Sequence, residues 1–293
     1  MQHSSESPPH RSNGLPPLLR LIRPKQWIKN GFVLAPLIFS GQFLNHEALL
    51  NAVAAFFLFC LASSAAYVVN DIQDMEKDRK HPVKSRSRPL ASGEVRVQGA
   101  LLMLIFLYST LAAGLFLYPR ITGVLLGYLA LNFAYSRFLK HEPVIDIFTI
   151  AIGFVLRVYA GAIALEVPVS SWMFITTLCL ALYLAAIKRR QEIELSGQEG
   201  RKVLEKYSGP LVERYAEMAA TGALIFYSLF VMASRPELVI TIPLVLYGLF
   251  RYWYVVESQD GGESPTDALL SDWQLLMTVV AWVVFCAYAL WPQ

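Results

Sequence analysis

The sequence predicts an all-α, polytopic membrane protein, a bundle of nine transmembrane helices. Three observations lead there. Of 293 residues, 55% are hydrophobic and only 16% charged, with mean hydropathy +0.45, whereas soluble domains carry about 25% charged residues. Apolar runs close to the ~20 residues needed to cross a bilayer recur along the chain. Lysine and arginine gather in alternate connections between those runs. A soluble enzyme, a secreted disulfide scaffold and a disordered protein are all excluded.

In chain order, residues 1–19 are polar, carry Ser, Pro and His, and read as a disordered cytoplasmic tail. They lack the basic start, apolar stretch and small-residue cleavage site of a signal peptide. Residues 20–293 form the transmembrane domain. Its first run, 31–45, is short and contains Pro36, so it either extends toward its N-terminus or kinks. The others fall at 48–69, 98–118, 121–139, 146–166, 170–187, 217–234, 236–256 and 272–291, with boundaries good to a few residues. Of the 25 lysines and arginines, only Arg120 and Arg235 lie in the connections opposite the N-terminus, and Arg157 lies inside the fifth run. That asymmetry makes the N-terminus cytoplasmic. The opposite-side connections, 41–49, 118–122, 166–170 and 234–237, are short and hold little chemistry. A site is therefore expected at the cytoplasmic mouth. Cys60, Cys179 and Cys286 stand singly in apolar runs, which suits packing rather than zinc or disulfides.

Directly after the second run comes Asn70-Asp71-Ile72-Gln73-Asp74-Met75-Glu76-Lys77-Asp78, with three of the chain's seven aspartates. On a continuous helix Asn70, Asp74 and Asp78 form one stripe, with Asp71 alongside. Like charges at that spacing repel unless a cation sits among them. Oxygen donors without His or Cys suit Mg²⁺, which keeps waters and bridges to substrate phosphates. The next stretch carries Arg79, Lys80, Lys84, Arg86 and Arg88. Acids for a metal followed by bases for phosphate are what a diphosphate leaving group requires.

With NDxxDxxxD after the second of nine helices and the basic stretch ending Arg86-Ser87-Arg88-Pro89-Leu90-Ala91-Ser92-Gly93, the chain resembles the UbiA-type membrane prenyltransferase superfamily. The resemblance implies a UbiA-like helical bundle with a cytoplasmic active-site cap, and a motif that binds Mg²⁺ and a diphosphate. Members that prenylate aromatic acceptors usually carry a second Asp-rich motif between helices six and seven. Here that connection has no aspartate in 188–215, but holds Lys188, Arg189, Arg190, Arg201, Lys202, Lys206 and Arg214. Positive charge stands where a second metal site would be, which points to a second anionic group held by bases.

The runs RPKQWIKN at 23–30, NDIQDMEKD at 70–78, residues 135–161 and LAAIKRRQE at 184–192 narrow the resemblance to the decaprenyl-phosphate phosphoribosyltransferase branch. That branch moves 5-phosphoribose from phosphoribosyl diphosphate (PRPP) to a polyprenyl phosphate. It implies a multi-pass enzyme of the bacterial plasma (inner) membrane that uses Mg²⁺, PRPP and a polyprenyl phosphate lipid and feeds arabinan precursors to cell-wall biogenesis. A nucleic-acid partner is not expected, and a homo-oligomer is compatible with the sequence. Asn70, Asp74 and Asp78 are the expected metal ligands, Asp74 and Asp78 with Lys25 and Lys29 the expected catalytic set. Lys25 and Lys29 sit one helical turn apart at the membrane boundary, which equally suits snorkelling anchors. Substrate contacts are expected from Asn70, Asp71, Arg79, Lys84, Arg86, Arg88, Tyr135, Arg137, Lys140, Asp146, Arg157, Lys188, Arg189 and Arg190. Tyr135 and Lys140 are five apart, where the superfamily often has four. Arg157, three turns into a span, should face the cavity or a partner, with Asp146 or a phosphate as candidates. His81 and His141 read as bystanders. Glu263-Ser264-Pro265-Thr266-Asp267 and Leu270-Ser271-Asp272 also fit this branch and have no assigned role. Two other readings share parts of the pattern: prenyl transfer from a prenyl diphosphate, and transport of an anionic lipid. Transport would call for polar groups at mid-membrane and paired repeats, whereas charge is confined to one side, Arg157 is the only ionisable residue deep in a span and no internal repeat is seen.

Overall fold

The computed structural model describes residues 15–81, 84–196, 203–258 and 265–291. Most of the expected tail lies outside them, as do Pro82, Val83, Arg201, Lys202, Glu263 and Ser264. The described residues are helical, without a strand. A short α1 (Pro17–Leu21) leads to a 3₁₀ segment, Pro24–Leu34, and then α2 (Ala35–Phe39). After these come α3 (His46–Gln73), α4 (Met75–Arg79), α5 (Lys84–Ser87), α6 (Val97–Leu117), α7 (Thr122–Arg137), α8 (Ile145–Ala164) and α9 (Ser171–Ser196). The chain closes with α10 (Gly209–Ser234), α11 (Ile242–Ser258), α12 (Pro265–Ser271) and α13 (Trp273–Ala289).

Among the described residues six helices are long and apolar enough to cross a membrane, spanning His46–Gln73, Val97–Leu117, Ile145–Ala164, Ser171–Glu194, Gly209–Ser234 and Pro236–Ser258. A seventh is reached if α12 and α13, bent by 96° at Asp272, count as one. The remaining apolar runs form shorter pieces: α7 has 16 residues, and the first run, 31–45, begins in the last turn of the 3₁₀ segment Pro24–Leu34 and continues through the five residues of α2. Pro36, in the first turn of α2, removes a backbone donor inside that run.

Local chemistry sets several boundaries. The Asn45 side chain caps α3 by accepting from the backbone N–H groups of Glu47 (3.0 Å) and Ala48 (3.1 Å), and Asp272 caps α13 through Leu275 N–H (2.7 Å). The α3 helix ends at Gln73, Asp74 adopts φ −94° and ψ 4°, and α4 begins afresh at Met75. Conversely, α9 runs past its apolar stretch to Ser196, so Lys188, Arg189 and Arg190 sit on a helix and not in a loop.

Small residues let the helices approach. Buried Ala52, Ala55, Ala62 and Ala65 line the inner face of α3, and α9 packs along α10, with Ala185, Ala186, Ala216 and Ala219 in one buried cluster. Gly161 of α8 lies directly on the Val33 carbonyl of the 3₁₀ segment, and an added Cβ there would overlap backbone. Gly161→Ala is accordingly expected to cost about 1–3 kcal/mol through overpacking, read as a lower melting temperature in detergent. Gly123→Ala, where nothing stands within 4 Å of the added atom, is the control; equal melting of the two would refute the assignment. The outward faces of α6 and α13 expose Leu102, Phe106, Phe116, Met277, Val284 and Tyr288. Apolar surface on that scale suits hydrocarbon as solvent.

Candidate active site

The acidic motif occupies the end of α3, but the helix break divides it. Asn70, on the last turn, accepts a hydrogen bond from the Ser136 hydroxyl of α7. Asp71, 2% exposed, bonds to Arg23 and lies 3.1 Å from Arg88. Asp78 is also buried and bonds to the same Arg88. Asp74 faces the other way, 3.6 Å from Lys140, with 37% of its side chain exposed. The stripe expected from a continuous helix is therefore resolved into two pairs: Asp71 and Asp78 bracket Arg88, while Asn70 and Asp74 face the end of α7. The cause is the non-helical turn at Asp74, which removes the 100° phase that would have aligned Asp78 with it.

Among the described residues no three His, Cys, Asp or Glu side chains converge as metal ligands. A standing protein cage for a cation is thus absent from this arrangement. The donors instead suit an ion that takes one or two carboxylates and completes its shell with water and substrate phosphate. Asp74 is the most accessible of the motif's three aspartates and Asn70 stands one turn before it. Asp78 joins only if Arg88 exchanges its carboxylates for a phosphate, a planar guanidinium being equally suited to either.

The basic residues divide just as sharply. Lys25 is exposed and Lys29 half-buried. At three residues per 3₁₀ turn, positions four apart are rotated by about a third of a turn, so the two lysines do not share the face an α-helix would give them. Burial, with the Arg157 and Arg23 cations nearby and opposed by Asp267, pushes Lys29 down to about 8. Arg79 turns back to Glu76 at 2.7 Å on the exposed side of α4. Arg86 and Arg137 are exposed, and Lys84 lies on α5.

A second network lies deeper. Asp146, fully buried at the start of α8, accepts from Arg189 Nε at 2.6 Å and from the Tyr207 hydroxyl at 2.7 Å. Arg189, 1% exposed, also bonds to Glu192 and donates to the Tyr135 hydroxyl at 2.9 Å. Its donors are used inside the protein, so Tyr135, Asp146 and Arg189, with Tyr207, act together as a lock between α7, α8, α9 and the segment that leads into α10. Lys188 pairs with Glu192 (3.8 Å), and Arg190 with Glu194 (3.2 Å), Glu213 (3.7 Å) and Glu257. Arg157 does not meet Asp146. Its Nε donates to Asn30 Oδ1 (2.8 Å), Nη1 to Gly153 O (2.7 Å) and Nη2 to the Tyr128 hydroxyl (3.1 Å). The rings of Phe59, Tyr128 and Phe154 surround its guanidinium, which is how a buried cation is made tolerable.

Reading from sequence passed over Arg23, Asn30, Ser136, Tyr207 and the position of Asp267. Arg23 has φ 53°, stacks over Tyr67 at 4.9 Å and reaches Asp71 across 48 residues. No local pattern announces such a contact. Asn30 was legible only as a polar residue at a membrane boundary, and its bonds to Cys60 Sγ (3.2 Å), Ser63 Oγ (3.1 Å) and Arg157 emerge from packing.

The UbiA prenyltransferase family matches residues 33–270. The decaprenyl-phosphate phosphoribosyltransferase of Corynebacterium glutamicum is 36% identical over 286 residues, covering 92% of this chain and 85% of that protein. The enzyme of the same name from Mycobacterium tuberculosis is 34% identical over 279 residues, covering 91% of each chain. Among solved structures, a UbiA homolog from Archaeoglobus fulgidus bound to GPP and Mg²⁺ superposes with TM-score 0.71 at 21% identity, covering 94% of this chain and 99% of that one.

Proposed function

The chain belongs to the UbiA prenyltransferase family, and on that premise we propose that it transfers 5-phosphoribose from PRPP to a polyprenyl phosphate of the decaprenyl type, releasing diphosphate. The observation that carries this reading is the full-length similarity to relatives that bear the phosphoribosyltransferase name. The single acidic motif, with Arg23, Arg88 and Lys140 paired to it, supports the same reading. In this account the enzyme sits in the bacterial plasma membrane, the six long helices and the shorter apolar pieces together cross nine times, and the charged end with the N-terminus faces the cytoplasm. The concentration of lysine and arginine at that end supports the orientation.

Mg²⁺, when bound, would neutralise charge on the donor diphosphate. Asn70, Asp74 and Asp78 are the residues proposed to hold it. Lys29 and Lys140 place positive charge beside the diphosphate, and Arg88 and Arg23 add it as they release Asp71 and Asp78. The bond from ribose C1 to the diphosphate oxygen breaks through an oxocarbenium-like state, and a lipid-phosphate oxygen forms the new bond to C1. A phosphomonoester with a second pKa of about 6 is already largely dianionic at neutral pH. It needs to be positioned and requires no general base, in keeping with a mouth whose histidines have no assigned part.

The test is transfer of radiolabel from PRPP to polyprenyl phosphate by the purified protein with Mg²⁺. Label is expected in the organic phase and is expected to vanish with EDTA and return with added Mg²⁺. No transfer at any tail length, with a prenyl diphosphate consumed instead, would overturn the proposal in favour of prenyl transfer.

A further inference from the structure

The end of the bundle opposite the acidic motif holds a cavity that the proposed chemistry leaves unused. Asn45 opens the 28-residue helix α3 at this end, and Asn70 lies on its last turn at the other. Three connections meet here: the chain after α2, the α8–α9 connection and the end of α10. Between them lies a cavity of about 320 Å³, at the lower end of the ~300–1,000 Å³ usual for small-ligand sites. Its floor is apolar. Pro36, Ala162 and Phe230 are buried there, and Phe39 meets Phe230 edge to face at 5.3 Å. Its rim is polar, with one residue from each connection: Gln42, Ser170 and Arg235. Among the described residues, none of these three side chains has a hydrogen-bond partner. Arg235 and Glu237 stand 3.9 Å apart, beyond hydrogen-bond reach. Arg120, the other base in the connections at this end, is by contrast bonded to Glu166.

The surroundings set the depth of the cavity in the membrane. Trp172 stacks on Phe226 and Trp291 lies against Phe43, aromatic neighbours of the kind that sit at the level of lipid head groups. Close to Arg235 in the chain, Met232, Val239 and Ile240 are exposed and offer acyl chains an apolar surface. A hydrocarbon tail in the cavity would leave the donors of Arg235 and Gln42 without acceptors. A small free anion would leave the apolar floor uncovered. An amphiphile with an anionic head satisfies both, and a guanidinium fork matches phosphate oxygens. We propose that this cavity binds the head group of an anionic phospholipid from the leaflet at this end. Its phosphate accepts from Arg235, its remaining oxygens accept from the Gln42 amide and the Ser170 hydroxyl, and its glycerol carbons cover the floor. The lipid thereby fastens α2, the α8–α9 connection and α10 to one another. The cavity stands apart from the acidic motif, so the inference holds or fails independently of the ribose-transfer reading.

Because the basic mouth also attracts anionic lipid, the test reads occupancy at the cavity itself. Val169, which lines it, is replaced by Cys in the full-length protein in neutral detergent, and maleimide labelling at position 169 is followed by peptide mass. Dihexanoyl phosphatidylglycerol is expected to slow labelling, while dihexanoyl phosphatidylcholine and inorganic phosphate leave the rate within about two-fold. Losing a charge-assisted hydrogen-bond pair should weaken binding about ten-fold. A phosphatidylglycerol concentration that slows labelling about ten-fold should therefore slow it only about two-fold once Arg235→Gln is added. Arg120→Gln, at the same end, should keep the full protection. Gln42→Leu with Ser170→Ala, which retains Arg235, should weaken binding about five-fold, and it carries the comparison if melting shows Arg235→Gln to be poorly folded. Equal protection by the two lipids, or protection unchanged by both rim variants, would overturn the inference. Equal protection by inorganic phosphate would overturn it in favour of a free-anion site.

Discussion

Asp74→Asn is expected to lower phosphoribosyl transfer by about 10²–10³-fold, the scale on which one electrostatic group acts in a transition state, while leaving the melting temperature within a degree or two of wild type. Both halves follow from its position. Asp74 sits at the break between α3 and α4, its side chain is partly exposed, and its ion-pair partner is Lys140 at 3.6 Å. An exposed pair of that kind contributes about 0–1 kcal/mol to stability, so little folding energy is lost. The carboxylate is nonetheless the most accessible of the motif's three aspartates. Asp71→Asn should behave in the opposite way. It would leave the buried end of Arg23 and one side of Arg88 without their acid, and stability should fall along with activity. Transfer rate and thermal melting measured on the two variants give the comparison. If Asp74→Asn transferred ribose at the wild-type rate, Asp74 would have no part in holding the metal or diphosphate.

Arg189→Met is expected to destabilise the protein by about 3–5 kcal/mol, because it strands the fully buried Asp146 without its cation. Asp146→Leu should cost a comparable amount from the other side. The double variant should recover much of the loss, since replacing a buried ion pair with apolar groups is often close to neutral. Arg189→Lys should rescue poorly: a lysine presents a point charge where the guanidinium fork reaches Asp146, Glu192 and Tyr135 at once. Melting in detergent and expression level of the four variants report the outcome. Loss of transfer with unchanged melting in Arg189→Met would instead make Arg189 a substrate ligand, as its sequence context suggests.

The all-helical membrane architecture, the acidic motif and the absence of a second one could be read directly from the chain. These depend on composition, on runs of apolar residues and on neighbours a few positions apart, all of which a linear sequence displays. The partnerships could not be read in the same way. Asp78 aligns with Asp74 on paper and joins Asp71 in space, because one residue with non-helical dihedrals ends α3. Lys25 and Lys29 share a face on an α-helix and part on a 3₁₀ turn. Arg157, Arg189 and Arg190 look alike as bases awaiting a phosphate. Tertiary packing encloses the first two among internal acceptors and sets the third among glutamates of α9, α10 and α11. The physical reason is that each residue's type sets which charge it carries, while the competition among partners for a buried cation is decided only when distant helices meet and water is excluded.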